Sequence, residues 1–287
     1  MTRGALLFAH NSSAIDYGLM AIIAGGLAKK HLGIPVSVVT DKWTIEWLKE
    51  SKMFDRAVEV FDQIIEIEKP VTKNTRKLHD GFHSQTIPFE NSNRCLAWDL
   101  SPYDQTLLID SDYLIFSNSL NEYWEVDASV MIAKSMSDIK GDRAGILDTN
   151  VSETGIHMFW ATTVMFDKSK ESQFFFELVK FIRDNYKYYG DLFRFNSKQY
   201  RNDIAFSIAK HILNGFETDY IYTLPPLTTI LDKDIMHTVD ADGKITVLVD
   251  NPENCGYFWA TTLKNTDVHI MNKQSIIRNK DRLLELI

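Results

Sequence analysis

The chain opens on a short apolar run, Gly4 to Ala9, that stops abruptly at the polar cluster His10-Asn11-Ser12-Ser13. A run of that length, bounded so sharply, reads as a buried strand. Ala14 to His31 carries an apolar face at helical spacing and predicts a helix, closed by Gly33 and Pro35. Ile34 to Thr40 reads as a second strand ending at Asp41, Thr44 to Glu50 as a short helix, and Ala57 to Phe61 as a third strand. This alternation predicts a parallel sheet with nucleotide-binding geometry. Ligands bind such sheets at the carboxyl ends of the strands. His10, Asn11 and Asp41 stand at those ends and are candidate binding residues.

Residues 66–90 are polar and basic with little periodicity, which predicts a long loop of the kind that often carries function. Asn91 or Ser92 can cap a helix reaching about Leu100. Pro102 then turns the chain into a strand, Thr106 to Ile109, that delivers Asp110-Ser111-Asp112. Further strands are expected at Ala128–Ala133, Met158–Phe166 and Asp219–Leu224, the last ended by Pro225-Pro226. Residues 135–155, with Gly141, Gly145 and Gly155, read as a loop. Helices are expected at Ser169–Tyr186, Tyr200–Leu213 and Gln274–Ile287, and Asp242-Gly243 is a hairpin-turn signal. Phe-Trp-Ala-Thr-Thr occurs at 159–163 and again at 258–262, either as two similar strand ends on one pocket wall or by coincidence. No linker divides the chain, so residues 1–287 are expected to form a single α/β domain.

Composition narrows the function. The net charge of −8 argues against a protein that coats a nucleic-acid backbone, while leaving room for a local basic groove. Aromatic residues make up 12% of the chain, and most are expected in the core. Two cysteines, Cys95 and Cys255, are too few for a disulfide framework and fit a reducing compartment. The N-terminal stretch lacks the apolar region and cleavage site of a signal peptide, and no run approaches a membrane span. A cytoplasmic location without a transmembrane segment is therefore expected.

Two carboxylates at i and i+2 can reach one hard divalent cation when the backbone turns between them. Mg²⁺ and Mn²⁺ favour oxygen ligands and bridge diphosphate oxygens. Asp110 and Asp112 directly follow the apolar strand Leu107-Leu108-Ile109, where a ligand site is expected. Asp232/Asp234 and Asp240/Asp242 share the spacing but lie in polar stretches, so solvated turns are expected there.

The stretch from Arg94 through Trp98, Leu100 and Tyr103 to Asp110-Ser111-Asp112 resembles the donor-site segment of glycogenin and the related bacterial lipopolysaccharide galactosyltransferases. That resemblance implies a GT-A glycosyltransferase fold, a Rossmann-like nucleotide-binding domain with a mixed central sheet. Its nucleotide-sugar half would span about 1–133 and its acceptor half about 134–287. Arg94 stands where the family has a Lys that contacts the donor, although a solvated helix residue is an equal reading; Trp98 reads as core. Tyr17, after Asp16, matches the family's base-stacking Tyr, or else packs beside a helix cap. His269 matches the family's third metal ligand. Asn272 stands where Gly is usual, and Lys273 comes earlier than the family's phosphate-contacting Lys. Asn202 and Asp203 resemble the family's pair near the sugar's reacting carbon, and Trp160-Ala-Thr-Thr-Val164 departs from its Asn-Ser-Gly segment.

The resemblance implies Mn²⁺ or Mg²⁺ on Asp110, Asp112 and His269. It implies a nucleoside diphosphate sugar, UDP-linked, held by His10, Asn11, Tyr17, Asp41, Arg94, Ser111 and Lys273. Transfer of a hexosyl or pentosyl group to an acceptor hydroxyl, with retention, would involve Asp203, Asn202 and Arg94. The acceptor stays open among a glycan, a protein, a lipid-linked molecule and modified DNA. The basic stretches Lys69–His79 and Lys264–Arg282 could face an anionic acceptor. Two other readings remain: a non-catalytic nucleotide-sugar-binding protein on the same fold, and a sugar nucleotidyltransferase. The latter's Gly-rich, basic N-terminal loop is absent from His10–Gly18.

Overall fold

The apolar run forms β1 (Arg3–Phe8), and the helix after it is α1 (Tyr17–Leu32). These and the elements below come from a computed structural model of the chain. It describes residues 1–69, 74–80, 82–89, 91–141, 149–153, 155–195, 199–217, 222–251, 253–254 and 256–287. α1 starts where Asp16 accepts a hydrogen bond from the Leu19 backbone N–H at 2.9 Å. It ends where Gly33 takes a left-handed conformation at φ 67° and donates back to Lys29. Rather than one apolar face, nearly the whole helix is buried, from Tyr17 to Ala28 without interruption. It crosses the sheet as a central core helix, and each fully buried Leu or Ile on it contributes roughly 1.5–3 kcal/mol.

β2 (Val36–Thr40) and α2 (Lys42–Glu50) follow as expected. The third strand does not. Ala57 and Val60 are the buried positions of a helix, α3 (Phe54–Val60), and the strand comes later as β3 (Gln63–Glu66). The expected long loop contains a hairpin, β4 (Thr75–His79) and β5 (Ser84–Pro88), paired antiparallel. Its side chains are mainly polar, and Leu78 and Ile87 alone among these strand residues are fully buried. A 3-10 turn at Arg94–Leu96 leads into α4 (Ala97–Leu100), then β6 (Gln105–Ile109) and the two-residue β7 (Tyr113–Leu114). β8 (Val130–Ala133) is as expected, and a short β9 (Met136–Asp138) begins the region read as loop.

β10 (Trp160–Asp167) precedes α5 (Lys170–Asp184), α6 (Tyr186–Phe193) and α7 (Asn202–Leu213). The long helix expected to end at Tyr186 is therefore followed directly by another. β11 (Leu227–Ile230), β12 (Ile235–Val239), β13 (Ile245–Asp250), β14 (Phe258–Leu263) and β15 (Val268–Ile270) complete the strands. The Asp242-Gly243 turn joins β12 to β13 in antiparallel register. The first half of the expected Asp219–Leu224 strand lies outside the described residues; Leu224 itself makes a parallel bridge to Ala133. The C-terminal helix is divided into α8 (Lys273–Arg278) and α9 (Lys280–Glu285). At the break, the Asn279 amide donates to the Met236 and Ser275 carbonyls at 2.8 and 2.9 Å.

The main sheet has the order β3-β2-β1-β6-β10-β8. β3, β2, β1 and β6 are parallel, and β10 pairs antiparallel with both β6 and β8, so the sheet is mixed. A second sheet runs β7-β15-β11-β9 and a third β12-β13-β14. The two Phe-Trp-Ala-Thr-Thr segments thus fall in different sheets. Residues 160–166 of β10 are buried, whereas β14 is partly or fully exposed throughout, so the repeat does not form one wall. No helix among the described residues is long and apolar enough to cross a membrane.

Candidate active site

Strand pairing explains how three distant donor groups meet. Asp110 leaves the end of β6, where its N–H donates to the Thr162 carbonyl on neighbouring β10 at 3.0 Å. The Tyr113 N–H then returns to the Asp110 carbonyl at 3.1 Å, closing a four-residue turn through Ser111 and Asp112. Tyr113 in β7 pairs with His269 in β15, and the Ile270 N–H donates to the Asp112 carbonyl at 2.9 Å. Donor atoms of Asp110, Asp112 and His269 consequently lie within 4.8 Å of one another.

Two cations brace the carboxylates. Arg94 is 3% exposed, and its Nη1 donates to Asp110 Oδ1 at 2.7 Å. The buried Lys273 ammonium bonds Asp112 Oδ2. Asp112 Oδ1 stays clear of Lys273 and faces His269 Nε2 at 3.5 Å. Burial pushes the Asp110 carboxyl up, against the pull of Arg94. Burial acts the same way on Asp112, yet the Lys273 ammonium and the His269 imidazole hold it well below the usual carboxylate range. Burial and the nearby Arg76 lower Lys273, with Asp112 opposing them. Each carboxylate keeps one oxygen off its brace, and His269 adds an imidazole. Such an oxygen-and-imidazole donor set suits Mn²⁺ and accommodates Mg²⁺.

These residues floor a cleft of about 460 Å³ at the carboxyl ends of β1 and β6. Arg76, Lys77, Arg94, Arg201 and Lys273 line it, against the carboxylates Asp110, Asp112 and Asp203. An excess of cations in one cleft of a chain whose net charge is −8 focuses a positive field on any anion that enters. Asp203, near the start of α7, accepts from the Ala161 N–H at 2.9 Å through Oδ1, while Arg201 Nη2 stands 3.7 Å from Oδ2. The Asn202 amide donates to the Asn91 carbonyl at 3.2 Å, leaving its buried Oδ1 without a partner. Tyr17 and Ser111 also line the cleft, and burial raises the Tyr17 phenol.

His10, Asn11 and Asp41 are not among the lining residues. They form an internal bracket between β1 and α2. Asp41 Oδ2 meets His10 Nδ1 at 2.8 Å, and Asp41 Oδ1 accepts from the Thr44 N–H at 2.9 Å. Asn11 Oδ1 accepts from the Gly18 N–H at 2.7 Å, and its amide donates to Asp16 at 3.1 Å. His10 Nε2 alone of this set remains buried and unpartnered.

The 94–112 segment divides by role. Arg94, buried in the 3-10 turn, reaches the cleft, so it is not a solvated helix residue. Trp98 packs against the core beneath the Lys168 ammonium, which lies 4.7 Å from its ring. The Tyr103 hydroxyl shares a 2.7 Å hydrogen bond with Ser37 Oγ across β1. Asn272 caps α8, accepting from the Ser275 N–H at 3.2 Å, and this sets Lys273 as the first helical residue. Asp234 is not in a solvated turn: it is fully buried and accepts from the Leu231 and Asp250 N–H groups, both at 2.9 Å. Asp242 does sit on the surface, paired with Lys264 at 2.7 Å. Cys95 is buried and unbridged, and Cys255 lies outside the described residues. Sequence alone does not single out Arg76, because the polar hairpin that carries it imitates a loop; the basic character of Lys69–His79 is its one signal.

No protein-family model matches the chain, and no curated protein matches it by sequence. Solved structures resemble it in arrangement. The glycosyltransferase GlyE of Streptococcus pneumoniae TIGR4 is 16% identical with a TM-score of 0.42, covering 78% of this chain and 45% of its own. The chain thus spans less than half of GlyE's length. The galactosyltransferase LgtC is 12% identical at a TM-score of 0.43, covering 70% of this chain and 68% of its own. The inositol-1-phosphate CTP transferase from T. maritima is also 12% identical, at a TM-score of 0.39, covering 79% of this chain and 86% of its own. Likenesses this distant carry no role over to this chain, and the chemistry is read from the site itself. By its own topology, with parallel β3-β2-β1-β6 continued by antiparallel β10 and an Asp pair leaving β6, the chain has a mixed α/β fold with a mixed central sheet.

Proposed function

We propose that this protein is a metal-dependent glycosyltransferase that moves a sugar from a nucleoside diphosphate, UDP-linked, to an acceptor hydroxyl with retention. The observation that carries the reading is the convergence of Asp110, Asp112 and His269 within 4.8 Å in a cleft where cationic side chains outnumber carboxylates. Bound by those three side chains, Mn²⁺ or Mg²⁺ would supply Lewis-acid neutralisation of the leaving diphosphate. Arg94 and Lys273 fix the carboxylates and add positive charge where the leaving group gathers negative charge. Tyr17, on the cleft wall, offers a ring to the base. Asp203 is oriented by its hydrogen bond from Ala161, and its second oxygen, 3.7 Å from Arg201 Nη2, would serve the donor sugar. The bracket of His10, Asn11 and Asp41 supports donor binding by shaping the loop ahead of Tyr17 rather than by touching the nucleotide.

The test is incubation with a panel of UDP-sugars and Mn²⁺, measuring UDP release. Release that needs Mn²⁺ and is lost in Asp112→Asn supports the proposal; no release from any UDP-sugar, with or without Mn²⁺, contradicts it. The Lys273–Asp112 contact favours a second reading, a nucleotide-sugar-binding protein without turnover, because Asp112 already carries a neutralising cation. Tight, Mn²⁺-independent UDP-sugar binding without release would select that reading.

A further inference from the structure

Among the described residues, Arg76 pairs with no carboxylate. Its described hydrogen bond runs from Nη1 to the Tyr17 hydroxyl at 3.4 Å, and the Phe89 ring lies 5.3 Å from its Cζ. Its Nε is shielded from solvent with no hydrogen-bond partner. Burial would lower this group, yet Tyr17, Asp112 and Asp110 keep it firmly charged. Arg94, in the same cleft, also has spare donors: Nη1 is taken by Asp110, whereas Nε and Nη2 are buried and unpartnered. Leaving three guanidinium nitrogens unsatisfied beside one cleft is costly unless an anion completes them.

The hairpin that presents Arg76 is anchored at its base and at its turn. The Thr75 N–H donates to Gln199 Oε1 at 2.9 Å, just ahead of α7, and Arg278 of α8 donates to the Asp80 carbonyl at 3.2 Å. Arg76 is therefore preorganised by Tyr17, Phe89 and the fastened hairpin rather than free to swing. A preorganised planar fork suits two oxygens of one phosphoryl or diphosphoryl group.

We infer that the β4–β5 hairpin is a diphosphate clasp in which Arg76 and Arg94 grip the phosphoryl oxygens of the donor. This rests on the proposed nucleotide-sugar site and adds a binding residue to it. The clasp accounts for the unpartnered donors and gives the polar hairpin at the cleft a binding role. It also sets the anion beside Tyr17, since Arg76 bonds the hydroxyl of that side chain and leaves its ring face to the base.

Inorganic pyrophosphate tests the clasp without assuming a base. Calorimetric titration in the presence of Mn²⁺ would compare wild type, Arg76→Gln and Arg76→Lys, alongside UDP and uridine. The clasp predicts pyrophosphate and UDP binding about ten- to a hundredfold weaker in Arg76→Gln, an intermediate loss in Arg76→Lys, and unchanged uridine binding. Wild-type pyrophosphate affinity retained in Arg76→Gln would overturn the clasp alone. Failure of wild type to bind either pyrophosphate or UDP would overturn the proposed function and the clasp with it. Should Arg76→Gln fail to fold, as judged by its circular dichroism, Arg76→Lys decides: undiminished pyrophosphate affinity and enthalpy there would overturn bidentate gripping.

Discussion

The Lys273 ammonium rests on Asp112, although 161 residues separate them in sequence. Both side chains are almost fully buried, so the pair stabilises the floor of the cleft only as long as it stays whole. A divalent cation bound at Asp112 would share that carboxylate with Lys273. Lys273→Met should therefore destabilise the metal-free protein by about 3–5 kcal/mol, the cost of stranding a buried carboxylate. Mn²⁺ should then raise the melting temperature of Lys273→Met more than that of wild type. Equal Mn²⁺-induced shifts would show that Lys273 and the metal do not meet at Asp112.

Asp203 holds Ala161 and faces the cleft, so its two oxygens have separate duties. Asp203→Asn keeps an acceptor for the Ala161 N–H and removes the negative charge. Turnover should fall about a hundredfold or more while KM for the donor stays close to wild type. A rise in KM with unchanged kcat would assign Asp203 to ground-state binding instead.

Asp41 is held below the ordinary carboxylate range: burial alone would raise it, but hydrogen bonds from His10 and Thr44 outweigh that. A lowered folded pKa means the unfolded chain binds the proton more readily at mildly acid pH. The stability from Asp41 is thus complete above the unfolded value of about 4 and is lost as pH falls through the folded value. Asp41→Asn, which still caps α2, should cost about 1–2 kcal/mol at neutral pH. Chemical denaturation at a series of pH values should show the gap to wild type closing below about pH 4. A gap that stays constant into strong acid would refute the assignment.

Gly4 lets β1 approach the Tyr103 ring: a Cβ there would lie 2.4 Å from the ring carbons. Gly4→Ala should destabilise the fold by about 1–3 kcal/mol through forced displacement of Tyr103 and its bond to Ser37. Tyr103→Leu in the same background should recover part of that loss, measured by urea denaturation. Absence of any recovery would place the strain elsewhere.

The segments legible in the sequence were those whose burial pattern is simple. β1, α1 and β2 are apolar on nearly every side, so short bounded runs identified them. Asp110 and Asp112 were legible because β6 ends sharply at a charge. The hairpin was not, since β4 and β5 bury just Leu78 and Ile87 and otherwise expose polar residues, which imitates a loop. Arg76 was lost with it. His10, Asn11 and Asp41 stand at strand ends as expected, but sequence position does not reveal whether such residues turn to the cleft or to each other. Here hydrogen bonds to Thr44, Gly18 and Asp16 turn them inward. Residues 54–66 misled because Ala57 and Val60 serve a helix turn as well as a strand, and the actual strand, Gln63–Glu66, lies at the sheet edge with polar ends.

An electron paramagnetic resonance titration tests the metal site most directly. Mn²⁺ would be added to wild type, Asp110→Asn, Asp112→Asn and His269→Ala, each with and without UDP, and the free aqueous Mn²⁺ signal followed. Wild type should remove the signal at one ion per chain and bind more tightly with UDP present, while each variant should weaken binding severalfold or more. Mn²⁺ binding that is undiminished in Asp110→Asn and Asp112→Asn, or absent from wild type even with UDP, would contradict a metal held by Asp110, Asp112 and His269.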